Sequence, residues 1–274
     1  MRKLIEQLKT SKRWNIILWS VMGCFLLLSL LGIQGREEAL RLRAIEVLIE
    51  PREELAFLDS NKVLEIIKGA DTGRMLIGAK RSGLMLDEME GALERYPFIE
   101  KADVSIDLSG KLIVKVLQRN PVLRIISNKG NSYYVAKNGY KMPLHPGFAP
   151  RVLVANGNIA ESLTDTAFVG SKTASDLLLI AAYCSSNPFW HSQIEQLYVD
   201  NYMDILLIPK VGNHSIVFGS ADHLEKKFEM LKTFYHKGLN ATGWDKYKSI
   251  NLKYEGQIVA GKKENATNTQ IIQP

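Results

Sequence analysis

The sequence predicts an α+β protein with a single N-terminal transmembrane helix, a small β-α-α-β-β module and a β-rich domain that contains two helices. Three observations support this order of elements. Residues 14–33 form an uncharged run long enough to cross a bilayer core. Apolar residues change from helical to alternating spacing within residues 40–119, and hairpin signals recur through residues 120–260. The length beyond the anchor exceeds what one small core needs, so two domains are expected there.

The uncharged run predicts a membrane anchor. As a helix its 20 residues would span about 30 Å, which matches the hydrocarbon thickness of a bilayer. Five basic residues and one acidic residue occupy residues 1–13, so the positive-inside rule makes that segment a cytoplasmic stub. A cleaved signal peptide is the alternative, but its apolar region would be about 7–15 residues long. We therefore expect a single-pass type II membrane protein, with everything after residue 35 outside the cytoplasm.

Charge and cysteine content argue against a nucleic-acid-binding protein and against a eukaryotic ectodomain. Outside residues 1–13 the chain carries 30 basic and 28 acidic residues, so it lacks the excess positive charge that binds nucleic acid. Cys24 lies in the predicted anchor and Cys184 is the one cysteine after it, so no disulfide can join two extracytoplasmic cysteines of one chain. Eukaryotic ectodomains of this size usually carry disulfides, which favours a bacterial envelope protein.

The predicted small module begins with a strand at residues 44–49. A helix follows, for which Asp59-Ser60-Asn61 supplies N-cap chemistry, and a second helix is predicted at residues 86–95. Alternating apolar residues at 102–108 and 112–116 then predict two strands that pair as a hairpin.

The predicted β-rich domain contains one helix at about residues 173–185 and another that Ser220 or Asp222 caps. Apolar residues at helical spacing on the second helix are typical of a core-facing stripe. They are Leu224, Phe228, Leu231, Phe234 and Tyr235.

The chain is predicted to close on two strands. They cover residues 249–254 and 257–260, and Glu255-Gly256 forms the turn between them. From residue 261 to residue 274 the composition is polar and small, which predicts a disordered tail.

No residue pattern indicates catalysis, a metal or a cofactor. A partial phosphate-loop pattern starts at Gly73, but it follows a predicted helix and its lysine is displaced. The five histidines show no spacing that would place two metal ligands on one helix face. Cys184 is expected to be a small buried apolar residue and not a nucleophile. We therefore expect a non-enzymatic protein with no cofactor, metal site or small-molecule substrate.

Four segments, taken in their order along the chain, resemble one known family. They are YPFIEKADV at residues 96–104, RNPV at 119–122, a strand that runs into an Asn-Gly turn at 134–143, and INLKY at 250–254. Together they are similar to the FtsQ/DivIB family of bacterial cell-division proteins.

The resemblance implies a polypeptide-transport-associated (POTRA) domain at residues 40–119 and the family's β domain at residues 120–260. It further implies a non-enzymatic scaffold at the division septum, which would be a single-pass type II protein of the bacterial inner membrane with its C-terminal bulk in the periplasm. Its partners would be FtsB- and FtsL-like single-pass division proteins and, through them, the septal peptidoglycan synthases. Two alternatives are a POTRA-type envelope chaperone and a membrane-anchored envelope enzyme, which would need a catalytic cluster that the sequence does not indicate.

The resemblance also implies a partner-binding site at the last strands. A terminal strand leaves backbone N–H and C=O groups with which a partner segment can pair. In the family the partner docks there beside an aromatic residue, whose position is matched by Tyr254. Tyr254 is therefore expected at the centre of the contact, with Leu252, Lys253 and Glu255 beside it and Ile258 on the neighbouring strand. The simpler alternative is that Tyr254 only packs within the sheet.

Overall fold

The structure, a computed structural model, describes five stretches of the chain: residues 17–26, 41–50, 55–70, 76–239 and 243–263. The chain divides into two compact units, here called unit 1 (Met1–Gln118) and unit 2 (Arg119–Pro274). Both contain helices and a sheet, so the chain is α+β. The predicted cytoplasmic stub and residues 264–274 of the predicted tail lie outside the described residues.

The predicted transmembrane helix over residues 14–33 is wrong. In this region the structure describes a helix, α1, at residues 17–26. At 1.5 Å per residue the ten described residues of α1 account for about 15 Å, which is half of what a bilayer core requires. No helix among the described residues combines the length and the apolar character needed to cross a membrane. Residues 14–16 and 27–33 of the predicted span lie outside the described residues.

Unit 1 has the order β-α-α-β-β that periodicity predicts. Its elements are β1 (Ala44–Glu50), α2 (Ser60–Ala70), α3 (Leu86–Glu94), β2 (Ile99–Ile106) and β3 (Lys111–Gln118). In the part of unit 1 that the structure describes, the strands form a three-stranded sheet in the order β1-β3-β2, in which β3 is parallel to β1 and antiparallel to β2. Strands β1 and β2 follow each other along the chain but lie at opposite edges of this sheet, because the long connection through α2 and α3 crosses from one edge to the other.

Local chemistry explains two of the element boundaries in unit 1. Asp59 Oδ1 accepts the amide of Lys62 at 2.7 Å, so Asp59 caps α2 as predicted. In the turn from β2 to β3, Asp107 Oδ1 accepts the amide of Lys111 at 2.9 Å, and Gly110 adopts a φ of +83° that favours glycine. The core between helices and sheet includes Val63, Ile67, Met89, Leu93, Val104, Leu112, Val114 and Val116.

The described residues of unit 2 form a nine-stranded sheet with the order β12-β11-β10-β9-β8-β7-β4-β5-β6. Its strands are β4 (Pro121–Ile126), β5 (Ser132–Ala136), β6 (Lys141–Met142), β7 (Leu153–Gly157), β8 (Ile194–Val199), β9 (Ile205–Pro209), β10 (Ser215–Gly219), β11 (Tyr247–Asn251) and β12 (Val259–Lys262). Its helices are α4 (Lys172–Ser186), α5 (Pro188–Gln193) and α6 (Leu224–Phe234). Strand β4 is parallel to β7, β7 to β8 and β10 to β11, and the other neighbours are antiparallel.

The described part of unit 2 contains one helix more than the two that were predicted. The additional helix, α5, starts with Pro188 at its first turn and is capped by Asn187. Six residues are too few to establish a helical period in the sequence, which is why it was missed. The start of α6 also differs from the prediction, because its N-cap is His223 at a φ of +55° while Ser220 and Asp222 hydrogen-bond to each other.

The apolar stripe predicted on α6 does face the core. Phe228, Leu231 and Tyr235 are buried, and Leu224 and Phe234 pack against the same cluster. This packing fixes α6 beside the last strands of the sheet, where the candidate site lies.

Candidate partner-binding site

Strand β12 is the last strand at one edge of the nine-stranded sheet. It pairs antiparallel with β11, which pairs parallel with β10. Within the described residues no strand pairs with the other side of β12. A strand with an open side can be extended by a strand of another protein. The open side of β12 is called the terminal edge below.

The register determines which backbone groups reach the terminal edge. The amide of Leu252 donates to the carbonyl of Val217 on β10 at 2.9 Å, so by strand alternation Ile250 also turns its backbone groups toward β10. Asn251 then turns toward β12. Because Ile250 lies opposite Ala260, Ala260 is in a non-hydrogen-bonded pair with β11. Its N–H and C=O therefore point out of the sheet at the terminal edge.

Residues 252–258, between β11 and β12, form a loop that is called the terminal loop below. The predicted strands were expected to reach the turn directly, but β11 ends three residues earlier, at Asn251. Asn251 Oδ1 accepts the amide of Lys253 at 2.9 Å, and this local bond takes the chain out of the strand. The turn itself lies where it was predicted, with the amide of Gln257 donating to the carbonyl of Tyr254 at 3.3 Å.

The structure places the five predicted site residues at different depths. Leu252 is 1% exposed and belongs to the core of unit 2, and Ile258 packs partly buried against the same core. Tyr254 is 52% exposed. Lys253 and Glu255 on either side of it are also exposed. Leu252 and Ile258 thus anchor the terminal loop on the core. Lys253, Tyr254 and Glu255 form its exposed surface.

Two ion pairs hold the terminal loop in place. Lys253 Nζ lies 2.6 Å from Asp204 Oδ2, and Lys226 Nζ on α6 lies 3.3 Å from Glu255 Oε1. The hydrogen bond to Asp204 raises the pKa of Lys253, so Lys253 stays charged across the neutral range. Both pairs reach solvent, where such pairs typically stabilise by about 0–1 kcal/mol. Their main effect is to orient the loop around Tyr254.

An apolar groove lies between α6 and the terminal loop. It has a volume of about 600 Å³, and Met230, Phe234 and Ile258 provide apolar lining. A neighbouring pocket of about 390 Å³ shares Met230 and is lined in part by Tyr254. Sequence analysis missed the part that α6 plays here. The available signal was Met230, an apolar residue of α6 outside the buried stripe.

Among the side chains that the structure describes, two kinds of reactive group would point to catalysis: a metal-binding cluster and an ionised cysteine. Within the described ranges no group of three or more His, Cys, Asp or Glu residues could hold a metal ion. Burial raises the pKa of the Cys184 thiol to about 12, so this cysteine is not a thiolate at neutral pH. What the site offers is the outward N–H and C=O of Ala260, one half-exposed tyrosine and an apolar groove.

The family model described as FtsQ/DivIB, C-terminal related matches residues 120–261. The match covers just over half of the 274 residues and runs from β4 into β12. The chain belongs to the FtsQ/DivIB family. The resemblance found in the sequence is thereby confirmed, and the terminal edge lies within the matched range. FtsQ/DivIB proteins are non-enzymatic cell-division proteins, so this chain is a cell-division protein. No curated protein matches the chain.

Proposed function

We propose that this FtsQ/DivIB-family protein is a scaffold of the bacterial division machinery that binds its partners by strand addition at the terminal edge. The observation that carries the proposal is Ala260, whose N–H and C=O point away from β11 with no partner among the described residues. A partner strand laid along β12 would satisfy these groups, because main-chain hydrogen bonds supply affinity in this binding mode. The proposed partners are FtsB- and FtsL-like single-pass division proteins.

Side chains beside the terminal edge provide specificity in this proposal. Tyr254 is the central contact, because it is the one aromatic residue of the terminal loop and half of it is exposed. Lys253 and Glu255 flank it in orientations set by their ion pairs. Leu252 and Ile258 support the loop from the core side, and the groove beside α6 can accept an apolar side chain of the partner.

The proposal extends to the rest of the protein. Unit 1 has the β-α-α-β-β order of a POTRA domain, and we assign it to that class on this order. Binding of FtsB- and FtsL-like partners would place the protein at the division septum and connect it indirectly to the septal peptidoglycan synthases.

Photo-crosslinking in cells tests the proposal. A photoreactive phenylalanine derivative replaces Tyr254, and the captured protein is identified by mass spectrometry. We expect a small single-pass division protein. Ala260→Pro removes the outward N–H and is expected to lower the yield of this adduct about tenfold or more. Ala260→Ser is the matched control, because it keeps the N–H and adds one atom.

Three results would contradict the proposal. Equal capture by Ala260→Pro and Ala260→Ser would show that the terminal edge is not used. Capture of precursors of other envelope proteins would favour a chaperone. No capture in cells that divide normally with Tyr254→Ala would place the binding surface elsewhere.

A further inference from the structure

The two edges of the three-stranded sheet in unit 1 differ in one respect. At the β2 edge, the amide of Val104 donates to Glu90 Oε1 at 2.7 Å, and the amide of Ala102 donates to Glu94 Oε1 at 3.4 Å. Both carboxylates come from α3, so this helix occupies two outward donors in the middle of β2, those of Ala102 and Val104. Covering an edge in this way prevents another strand from pairing with it.

The β1 edge has no such cover over the strand itself. Because Val104 turns outward, Val114 opposite it on β3 turns its backbone groups toward β1. Val47 is level with Val114, and in a parallel pair Val114 then bonds to the residues on either side of Val47. The N–H and C=O groups of Ile45, Val47 and Ile49 therefore point away from β3. In the described stretches no backbone or side-chain group bonds to them.

The chain just before β1 is paired with residues 78 and 79 at the same edge of the sheet. The amide of Leu42 donates to the carbonyl of Ala79 at 2.9 Å, and the amide of Gly78 donates to the carbonyl of Leu42 at 2.7 Å. This contact occupies the edge two residues ahead of Ala44. Any added strand is therefore limited to residues 44–50.

The side chains of β1 on the helix side of the sheet match a second copy of the same strand. In an antiparallel pair centred on Val47, each copy's Val47 faces the other, and Ile45 of one copy faces Ile49 of the other. All three are β-branched and half-buried against the core of unit 1. Cross-strand pairs of this kind stabilise antiparallel sheets.

On the other side of the sheet, charge selects the same register. Centred on Val47, the pairing places Glu50 opposite Ala44 and Glu46 opposite Leu48. If one strand slides by two residues so that the pair is centred on residue 46, Glu46 of one copy faces Glu46 of the other. If it slides the other way, so that the pair is centred on residue 48, Glu46 of one copy faces Glu50 of the other. Like charges directly opposite each other destabilise a sheet, so one register is favoured over its neighbours.

We propose that β1 pairs antiparallel with β1 of a second copy of this protein. The two sheets then join into one six-stranded sheet, β2-β3-β1-β1-β3-β2, about a twofold axis through Val47. Two strands of seven residues make a small interface, so the dimer is of the weak, concentration-dependent class. This pairing is independent of the terminal edge, because it uses unit 1 alone.

Cysteine crosslinking in the full-length protein tests both the pairing and its register. Cys24 is exposed and is first replaced by serine. One chain then carries Ala44→Cys and a second carries Glu50→Cys. In the proposed register these two positions are directly opposite in a non-hydrogen-bonded pair, within reach of a disulfide after mild oxidation. Identical positions are about 20 Å apart, because six residues of strand separate their levels.

We expect disulfide-linked dimers in the mixture of the two variants and few in either variant alone. Val47→Pro removes the central outward N–H without touching the bonds to β3, and it is expected to abolish the crosslink. Val47→Thr is the matched control, because it keeps the N–H and the β-branched shape and should crosslink normally. Circular dichroism checks that both variants fold.

Absence of mixed dimers would overturn the proposal. Equal linking of each variant with itself would overturn the register and show non-specific collision. Ala260→Pro should leave the crosslink unchanged, so a failure of the dimer and a failure of the terminal edge can be told apart.

Discussion

Replacement of Tyr254 by alanine is expected to weaken partner binding about 50-fold and to leave folding almost unchanged. A tyrosine side chain buries about 200 Å² when it is fully enclosed. Tyr254 is 52% exposed in the free protein, so a partner can remove about 100 Å² from water. At about 25 cal/mol per Å² this area is worth about 2.5 kcal/mol, which is roughly 50-fold in Kd. The loss of stability is small because Tyr254 lies in a turn and outside the core.

Isothermal titration calorimetry with the purified FtsB- and FtsL-like proteins of the same organism measures the change in Kd. Phe168→Ala is the matched control, because Phe168 is an aromatic residue that is 51% exposed and lies beside β6, at the opposite edge of the sheet of unit 2. A change of less than about threefold for Tyr254→Ala would refute the reasoning. An equal loss of affinity for both variants would do so as well.

Two further predictions concern the buried ion pair of unit 2. Lys141 Nζ is fully buried and lies 3.1 Å from Glu161 Oε1. Lys141→Met is expected to lower the free energy of unfolding by about 3–5 kcal/mol, because it leaves the buried carboxylate of Glu161 without its charge partner. A loss below about 1 kcal/mol, measured by urea denaturation, would contradict this. Burial raises the pKa of Glu161, but the hydrogen bonds that its carboxylate accepts from Ser171, Lys141 and Gly170 together outweigh burial and hold the pKa below its ordinary value. Because the pKa of Glu161 is lower in the folded protein than in the unfolded chain, its stabilisation is fully present above the unfolded pKa and is lost as the pH falls through the folded pKa. The wild type should therefore lose stability on acidification faster than Glu161→Gln, which cannot titrate at this position. Parallel acid profiles of the two proteins would be inconsistent with this assignment.

Local sequence patterns were sufficient for the order of elements in unit 1. The alternating apolar residues of β2 and β3 and the cap at Asp59 are signals within a few residues of the element that they define. The long apolar stripe of α6 was equally informative, because its members recur at helical spacing and are buried.

Features that depend on lateral contacts could not be predicted in the same way. The direction of the backbone groups of Ala260 depends on the register between β11 and β12, and a shift by one residue reverses it. The early end of β11 depends on a single side-chain bond from Asn251. The transmembrane prediction rested on the absence of charge over residues 14–33, a signal that is necessary for a membrane-spanning helix but not sufficient, and no helix among the described residues is long and apolar enough to span a membrane.

Hydrogen exchange at the amide of Ala260, measured by NMR with and without the purified partner, tests the terminal edge most directly. The account predicts fast exchange in the free protein, since this N–H points to the open edge, and at least about tenfold slower exchange in the complex, where the partner strand accepts it. The same fast exchange in a complex that is saturated with partner would contradict binding by strand addition.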